Sequence, residues 1–161
     1  MNYNVEYEIL KDGDIEGIQP ARGTKNSSGI DVFVPKGMSF DIHSKADVLI
    51  PLYIRIKIPV GCDIEVKNKS GVATKKKLIK GAQLIDVDYR GNVRIHLINF
   101  GNEVVRLESG EKIAQLVVRP VIISDWRQVE NIDIDTERGE GGFGSTDKIK
   151  RPAIGLNHAS S

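Results

Sequence analysis

The sequence predicts an all-β fold, and three observations carry that prediction. The first is composition: 21 Ile and 15 Val stand against 9 Leu and 7 Ala, and β-branched side chains, stiff at χ1, suit pleated surfaces better than helices. The second is alternation, seen most cleanly where Cys62–Asp63–Ile64–Glu65–Val66–Lys67 changes between apolar and polar at every step. The third is punctuation: 16 Gly and 6 Pro break the chain at short intervals, as tight turns between strands require.

Taken in order, segments 3–9, 29–34, 38–43 and 46–50 carry weaker strand signals. Leu52, Ile54, Ile56 and Ile58 fall on one face of a clearer strand, followed by the alternating run 62–67. Only 70–78, SGVATKKKL, reads as a helix; at about two turns it needs tertiary packing to hold. A weak strand at 83–88 precedes a clear one at 93–97, where Val93, Ile95 and Leu97 share a face. Segment 103–107 is weak, 113–118 is nearly continuous apolar sequence expected to be buried on both sides, and 129–134 is the last candidate. Many short strands with one short helix predict a jelly-roll-like distorted β-barrel. Residues 1–135 are assigned to it. Residues 136–147 form a Gly-rich arm and 148–161 an extension, too poor in apolar pattern to pack a core of their own.

The chain's 161 residues, 40% hydrophobic and 28% charged, suit one domain. Net charge is +1, from 23 basic and 22 acidic side chains. That balance argues against direct nucleic-acid binding by phosphate neutralisation. The single cysteine, Cys62, excludes a disulfide framework or a structural zinc site and reads as a small buried hydrophobe. No run has the length of a membrane span and the first residues lack a signal peptide's apolar stretch, so a cytoplasmic location is expected. His43, His96 and His158 are too scattered for a metal site; His96 reads as a strand residue on a polar face. Trp126 is expected to pack under the arm or at a subunit contact, and Lys75–Lys76–Lys77 to be a solvated face.

Four segments depart from ordinary strand-and-turn sequence. In 81–91, GAQLIDVDYRG, Asp86, Asp88 and Tyr89 end an apolar strand at a hairpin turn; alone this is equally an Asx-type turn with solvated acids. In 138–146, RGEGGFGST, glycines allow backbone N–H groups close to phosphate oxygens, while Arg, Ser and Thr add donors. A flexible linker would explain the glycines but not Phe143. Lys69–Ser70–Gly71 opens the helical segment as an anion site or a simple N-cap. In 110–115, GEKIAQ, Gln115 interrupts an apolar run and needs a hydrogen-bond partner.

With Gly29–Ile30–Asp31, these segments stand in the order of the five motifs of the trimeric dUTPases, which the chain resembles over roughly residues 20–147. LIDVDYRG and TERGEGGFGST are the most specific parts. The resemblance implies a jelly-roll-like homotrimer whose active sites are each built from all three chains, closed by the glycine-rich arm. The implied reaction is Mg2+-dependent hydrolysis of dUTP to dUMP and pyrophosphate, which keeps uracil out of DNA and supplies dUMP for thymidylate synthesis. It places Asp86 as the carboxylate that activates the attacking water at the α-phosphorus and Tyr89 against the deoxyribose, where the ring excludes a 2′-hydroxyl. Ala82, Gln83, Leu84, Ile85 and Arg94 would line the uracil hairpin. Lys69, Ser70, Gly71 and Gln115 fall on phosphate contacts. Arg138, Gly144, Ser145 and Thr146 fall on the terminal phosphates, Phe143 on uracil, and Asp31 on a carboxylate that reaches Mg2+ through water.

The chain departs from the family pattern at Lys69, where arginine is usual, at Gln83, often glycine, and at Asp147, where glycine usually ends the fifth motif. Lysine lacks the bidentate fork. Two rival functions stay open at this stage. The deaminases that share the fold would release ammonia from dCTP. A nucleotide-sensing module would use residues 148–161 to engage a regulatory protein partner. A purely structural jelly roll leaves the ordered motifs unexplained.

Overall fold

The computed structural model describes residues 3–141 and contains fourteen strands and one helix. The strands are β1 (Glu6–Ile9), β2 (Lys11–Asp12), β3 (Ile15–Glu16), β4 (Ala21–Arg22), β5 (Ile30–Phe33), β6 (Phe40–Ile42), β7 (Asp47–Pro51), β8 (Ile54–Lys57) and β9 (Cys62–Asn68). Helix α1 (Ser70–Lys75) follows, then β10 (Leu78–Lys80), β11 (Leu84–Ile85), β12 (Arg94–Asn99), β13 (Val105–Leu107) and β14 (Lys112–Pro120). The predicted all-β class holds. The predicted barrel is realised differently: every ladder is antiparallel, and the strands form separate open sheets, none of which closes on itself among the described residues.

The largest sheet has the order β11-β9-β14-β5-β4 and a second has β10-β12-β7; the pairs β1-β8, β13-β6 and β2-β3 complete the set. One core lies among them. Leu52, Ile54, Ile56 and Ile58 are all buried, as their spacing predicts, and so are Val93, Ile95, Leu97 and Cys62. Each such side chain contributes about 1.5–3 kcal/mol when fully removed from water. Strand β14 is less enclosed than expected: Ile113, Ala114 and Leu116 are buried while Val117 and Val118 are half-buried. Asp63 departs from the alternation, because Arg119 across β14 draws it inward: Asp63 is 7% exposed and its carboxylate accepts Nη2 at 2.7 Å and Nε at 3.1 Å.

The helix ends sooner than the sequence suggests. Lys77 takes a left-handed φ of 55°, and Leu78 turns into β10, where it pairs with Asn99 and is 1% exposed. The compact unit ends at Ile123, and Ser124 opens the second. In that second unit the expected strand at 129–134 is not formed: an alternating pattern yields a strand only where a ladder partner exists. Trp126 there is 96% exposed.

Candidate active site

Two groups of predicted site residues assemble in the folded chain. The first surrounds a cavity of about 160 Å³ lined by Leu84, Ile85, Asp86, Tyr89, Val93 and Arg94. Strand β11 brings in Leu84 and Ile85 by pairing with Glu65 and Ile64 of β9. The chain then turns, with the Tyr89 N–H donating to the Asp86 carbonyl at 3.1 Å. Tyr89 folds back over Gly91, where a Cβ would lie 2.4 Å from the phenol oxygen. Its hydroxyl donates to the Asn92 carbonyl at 2.9 Å, so the ring is fixed before any ligand arrives. The Asn92 side chain accepts the Tyr53 N–H at 2.8 Å, and Val93 exchanges backbone hydrogen bonds with Leu52 and Ile54 at 2.8 Å each. The hairpin is thereby tied to the core at its closing end. Asp86 is exposed, and its carboxylate forms no hydrogen bond or ion pair among the described residues.

The second group centres on Asp31 of β5, which is 2% exposed. Its carboxylate accepts Lys69 Nζ at 3.1 Å and Gln115 Nε2 at 3.0 Å, and Lys112 Nζ lies 2.9 Å away. Gln115 thus finds the partner its apolar surroundings require. Gly29 makes room for it, since a Cβ there would sit 3.0 Å from the Gln115 Cβ. Burial pushes the Asp31 carboxyl up, but hydrogen bonds from Lys112, Gln115 and Lys69 outweigh it and hold the group below the ordinary carboxylate range. Ser70 and Gly71 open α1 beside Lys69, both exposed.

Lys112 is the member that sequence reasoning did not assign. Residues 112 and 115 of a regular strand face opposite ways. A register shift between Lys112 and Ala114 in the β14–β5 ladder adds one residue and turns both side chains to the Asp31 side. Nothing in the local pattern marks that bulge.

No hydrogen bond or ion pair joins the two groups among the described residues. Their places on β9 say why. Extending the Ile85–Ile64 register sets Asp86 beside Asp63, whereas Gln115 pairs with Lys67. At about 3.3 Å per residue and 4.8 Å per strand, Asp31, three strands across from β11, lies roughly 20 Å from Asp86. Of the arm, Arg138 is exposed and donates from Nε to the Gly141 carbonyl at 2.9 Å. Phe143, Gly144, Ser145 and Thr146 lie outside the described residues, as do Asp147 and 148–161.

Comparison with known proteins agrees with the motif order. Residues 16–147 match the dUTPase family profile. The chain is 40% identical over 129 residues to the deoxyuridine 5′-triphosphate nucleotidohydrolase of Rattus norvegicus, covering 80% of this chain and 62% of the rat protein's length. Against the enzyme of that name from Desulfotalea psychrophila it is 38% identical over 149 residues, covering 91% of this chain and 99% of the relative. The Staphylococcus bacteriophage 80alpha dUTPase G164S mutant with dUpNHpp superimposes with a TM-score of 0.76 at 26% identity, covering 89% of this chain and 98% of that one. On this extent of match, the chain belongs to the dUTPase family.

Proposed function

We propose that the protein hydrolyses dUTP to dUMP and pyrophosphate, and that each active site is completed by other copies of the chain in a homotrimer. The observation that carries this reading is the division of the site. A cavity of about 160 Å³ takes a ring, not a nucleoside triphosphate, since pockets for larger ligands run to about 300–1,000 Å³. The cationic group that suits phosphates lies roughly 20 Å away along and across the sheet. This separation within one chain supports a second copy presenting Lys69, Lys112 and Gln115 to the phosphates of a nucleotide whose base sits at Leu84, Ile85 and Arg94. Arg138, Phe143, Ser145 and Thr146 of the arm are assigned to closing the site.

In the chemical step a water attacks the α-phosphorus, its proton passes to Asp86, and the bond to the bridging oxygen breaks to release pyrophosphate. A carboxylate is a weak base, so positioning and charge stabilisation supply most of the rate. Tyr89, fixed through Asn92, packs on the deoxyribose and leaves no room for a 2′-hydroxyl. Among the described residues no three His, Cys, Asp or Glu side chains converge on a metal-sized space. Magnesium held directly by Asp31 does not fit the donors already on its oxygens. Asp31 would hold the ion only through water, with those donors in place, and the ion would supply counter-charge to the triphosphate.

The test is pyrophosphate release with Mg2+ from dUTP, UTP, dTTP and dCTP at equal concentration. Release from dUTP alone is expected. Ammonia from dCTP, or silence with all four from a folded protein, overturns the reading.

A further inference from the structure

We infer that His96, backed by Asp47, is a positioning residue for the turn that leads into the base-binding cavity, an inference that rests on the dUTPase reading above. His96 stands on β12, half-buried and outside the cavity lining. Its Nδ1 accepts the Ala82 N–H at 3.2 Å, and its Nε2 lies 2.9 Å from Asp47 Oδ2 on the neighbouring β7. A ring that accepts at Nδ1 carries its proton on Nε2, which donates its hydrogen bond to the Asp47 carboxylate. Two partners on opposite sides therefore fix both tautomer and ring orientation. The backbone repeats the grip: the Gly81 N–H donates to the His96 carbonyl at 2.9 Å. One residue thus holds two successive amides.

The rest of the turn is tied as closely. The Lys80 N–H donates to Asn68 Oδ1 at 2.7 Å, and the Gln83 carbonyl accepts the Val66 N–H at 2.8 Å. Gly81 is required by the ring itself, because a Cβ there would lie 2.1 Å from His96 Nδ1. Ala82 and Gln83 open the segment assigned to uracil, whereas Asp86 is anchored separately through the Ile85–Ile64 pairing and its own turn. The imidazole therefore fixes the Gly81–Ala82 amides that lead into the Leu84–Ile85 side of the cavity, and Asp86 keeps its place without it.

That division fixes the test. His96→Leu removes the acceptor at similar bulk; KM for dUTP is expected to rise about tenfold, at the upper end for one hydrogen bond, with kcat within about threefold. His96→Asn restores an acceptor at the same remove from the backbone and should return KM to within about twofold of the parent. Amide hydrogen exchange at Ala82 reads the contact without turnover: faster in the Leu variant, parent-like in the Asn variant. Gly81→Ala should raise KM in the parent and add little in a His96→Ala background, since the clash is gone. An unchanged KM in His96→Leu, or unchanged Ala82 exchange, overturns the inference. A parent inactive on dUTP defeats the functional reading instead, and the exchange experiment still judges the contact.

Discussion

Replacing Asp31 by asparagine separates a structural role for this carboxylate from one confined to metal and substrate. The side chain is 2% exposed and serves Lys69, Lys112 and Gln115 at 3.1, 2.9 and 3.0 Å. An amide keeps the shape but loses the charge. The partners differ in how much this costs. Lys112, with a side chain 44% exposed, turns to water and loses the 0–1 kcal/mol or so of an ordinary surface pair. Lys69 is 29% exposed and loses a charge-assisted bond of about 1.5–3 kcal/mol. Gln115 keeps an acceptor only if the new amide presents its oxygen. Relief of burying an ion offsets part of this, leaving a net loss of about 1–3 kcal/mol. At an m-value near 2 kcal/mol per molar the urea midpoint should fall by about 0.5–1.5 M, measured at fixed protomer concentration with chelator present. A midpoint unchanged under those metal-free conditions would refute the structural role.

The same pair of proteins gives a pH signature. The folded Asp31 carboxyl lies below its unfolded value, since the three donors outweigh burial. Its stabilisation is therefore fully present above the unfolded value of about 3.9 and is lost as pH falls through the lower folded value. The gap between parent and Asp31→Asn should stay constant from about pH 5 to 8 and close below about pH 4. A gap that instead opens with acid would reverse the assigned sign.

Asp86→Asn should lower kcat by about 10²–10⁴ while leaving KM for dUTP within a few fold, read by single-turnover pyrophosphate release. Retention of more than a third of parent turnover would remove Asp86 from the base role. Tyr89→Ala should let UTP compete, cutting the dUTP/UTP ratio of kcat/KM by at least tenfold; an undiminished ratio would place the ribose filter elsewhere. Gly29→Ala puts a Cβ 3.0 Å from the Gln115 Cβ and should cost about 1–3 kcal/mol in urea unfolding. Combined with Gln115→Gly, which removes that Cβ, the Gly29→Ala step should cost measurably less than it does in the parent.

Legibility in the sequence followed the physical origin of each feature. The strands around Ile54, Ile64 and Ile95 were readable because burying one face of a pleat forces period two, and that constraint is written locally. The two-residue strands β2, β3 and β4 were not: they pair with near neighbours, Lys11 with Glu16 and Ala21 with Asp31, but two residues are too few to display a period-two pattern. Segment 129–134 shows the converse: Val129, Ile132 and Ile134 are interspersed with polar residues, yet all three are exposed, because apolar residues without a partner strand are not sufficient. The candidate site divides the same way. Asp86, Tyr89, Lys69 and Gln115 stood out as polar groups in apolar or turn context. Lys112 and His96 did not, because their meaning depends on a bulge and on a turn from another element.

The separation of the two groups also explains how one chain can carry a strong cation cluster and an unpaired carboxylate together. Were Asp86 within reach of Lys69 or Lys112, it would pair with them as Asp31 does, and a carboxylate held down by ammonium groups is a poor proton acceptor. Distance along β9 keeps Asp86 unpaired in the free chain. In the proposed trimer the triphosphate would arrive between copies with several negative charges, so that the lysines would meet phosphate before Asp86. The charge that would silence a base at Asp86 would be neutralised by the substrate. On this argument, dilution below the trimer's dissociation range should abolish turnover while leaving each chain's fold intact, and a tethered trimer should keep its activity at the same dilution.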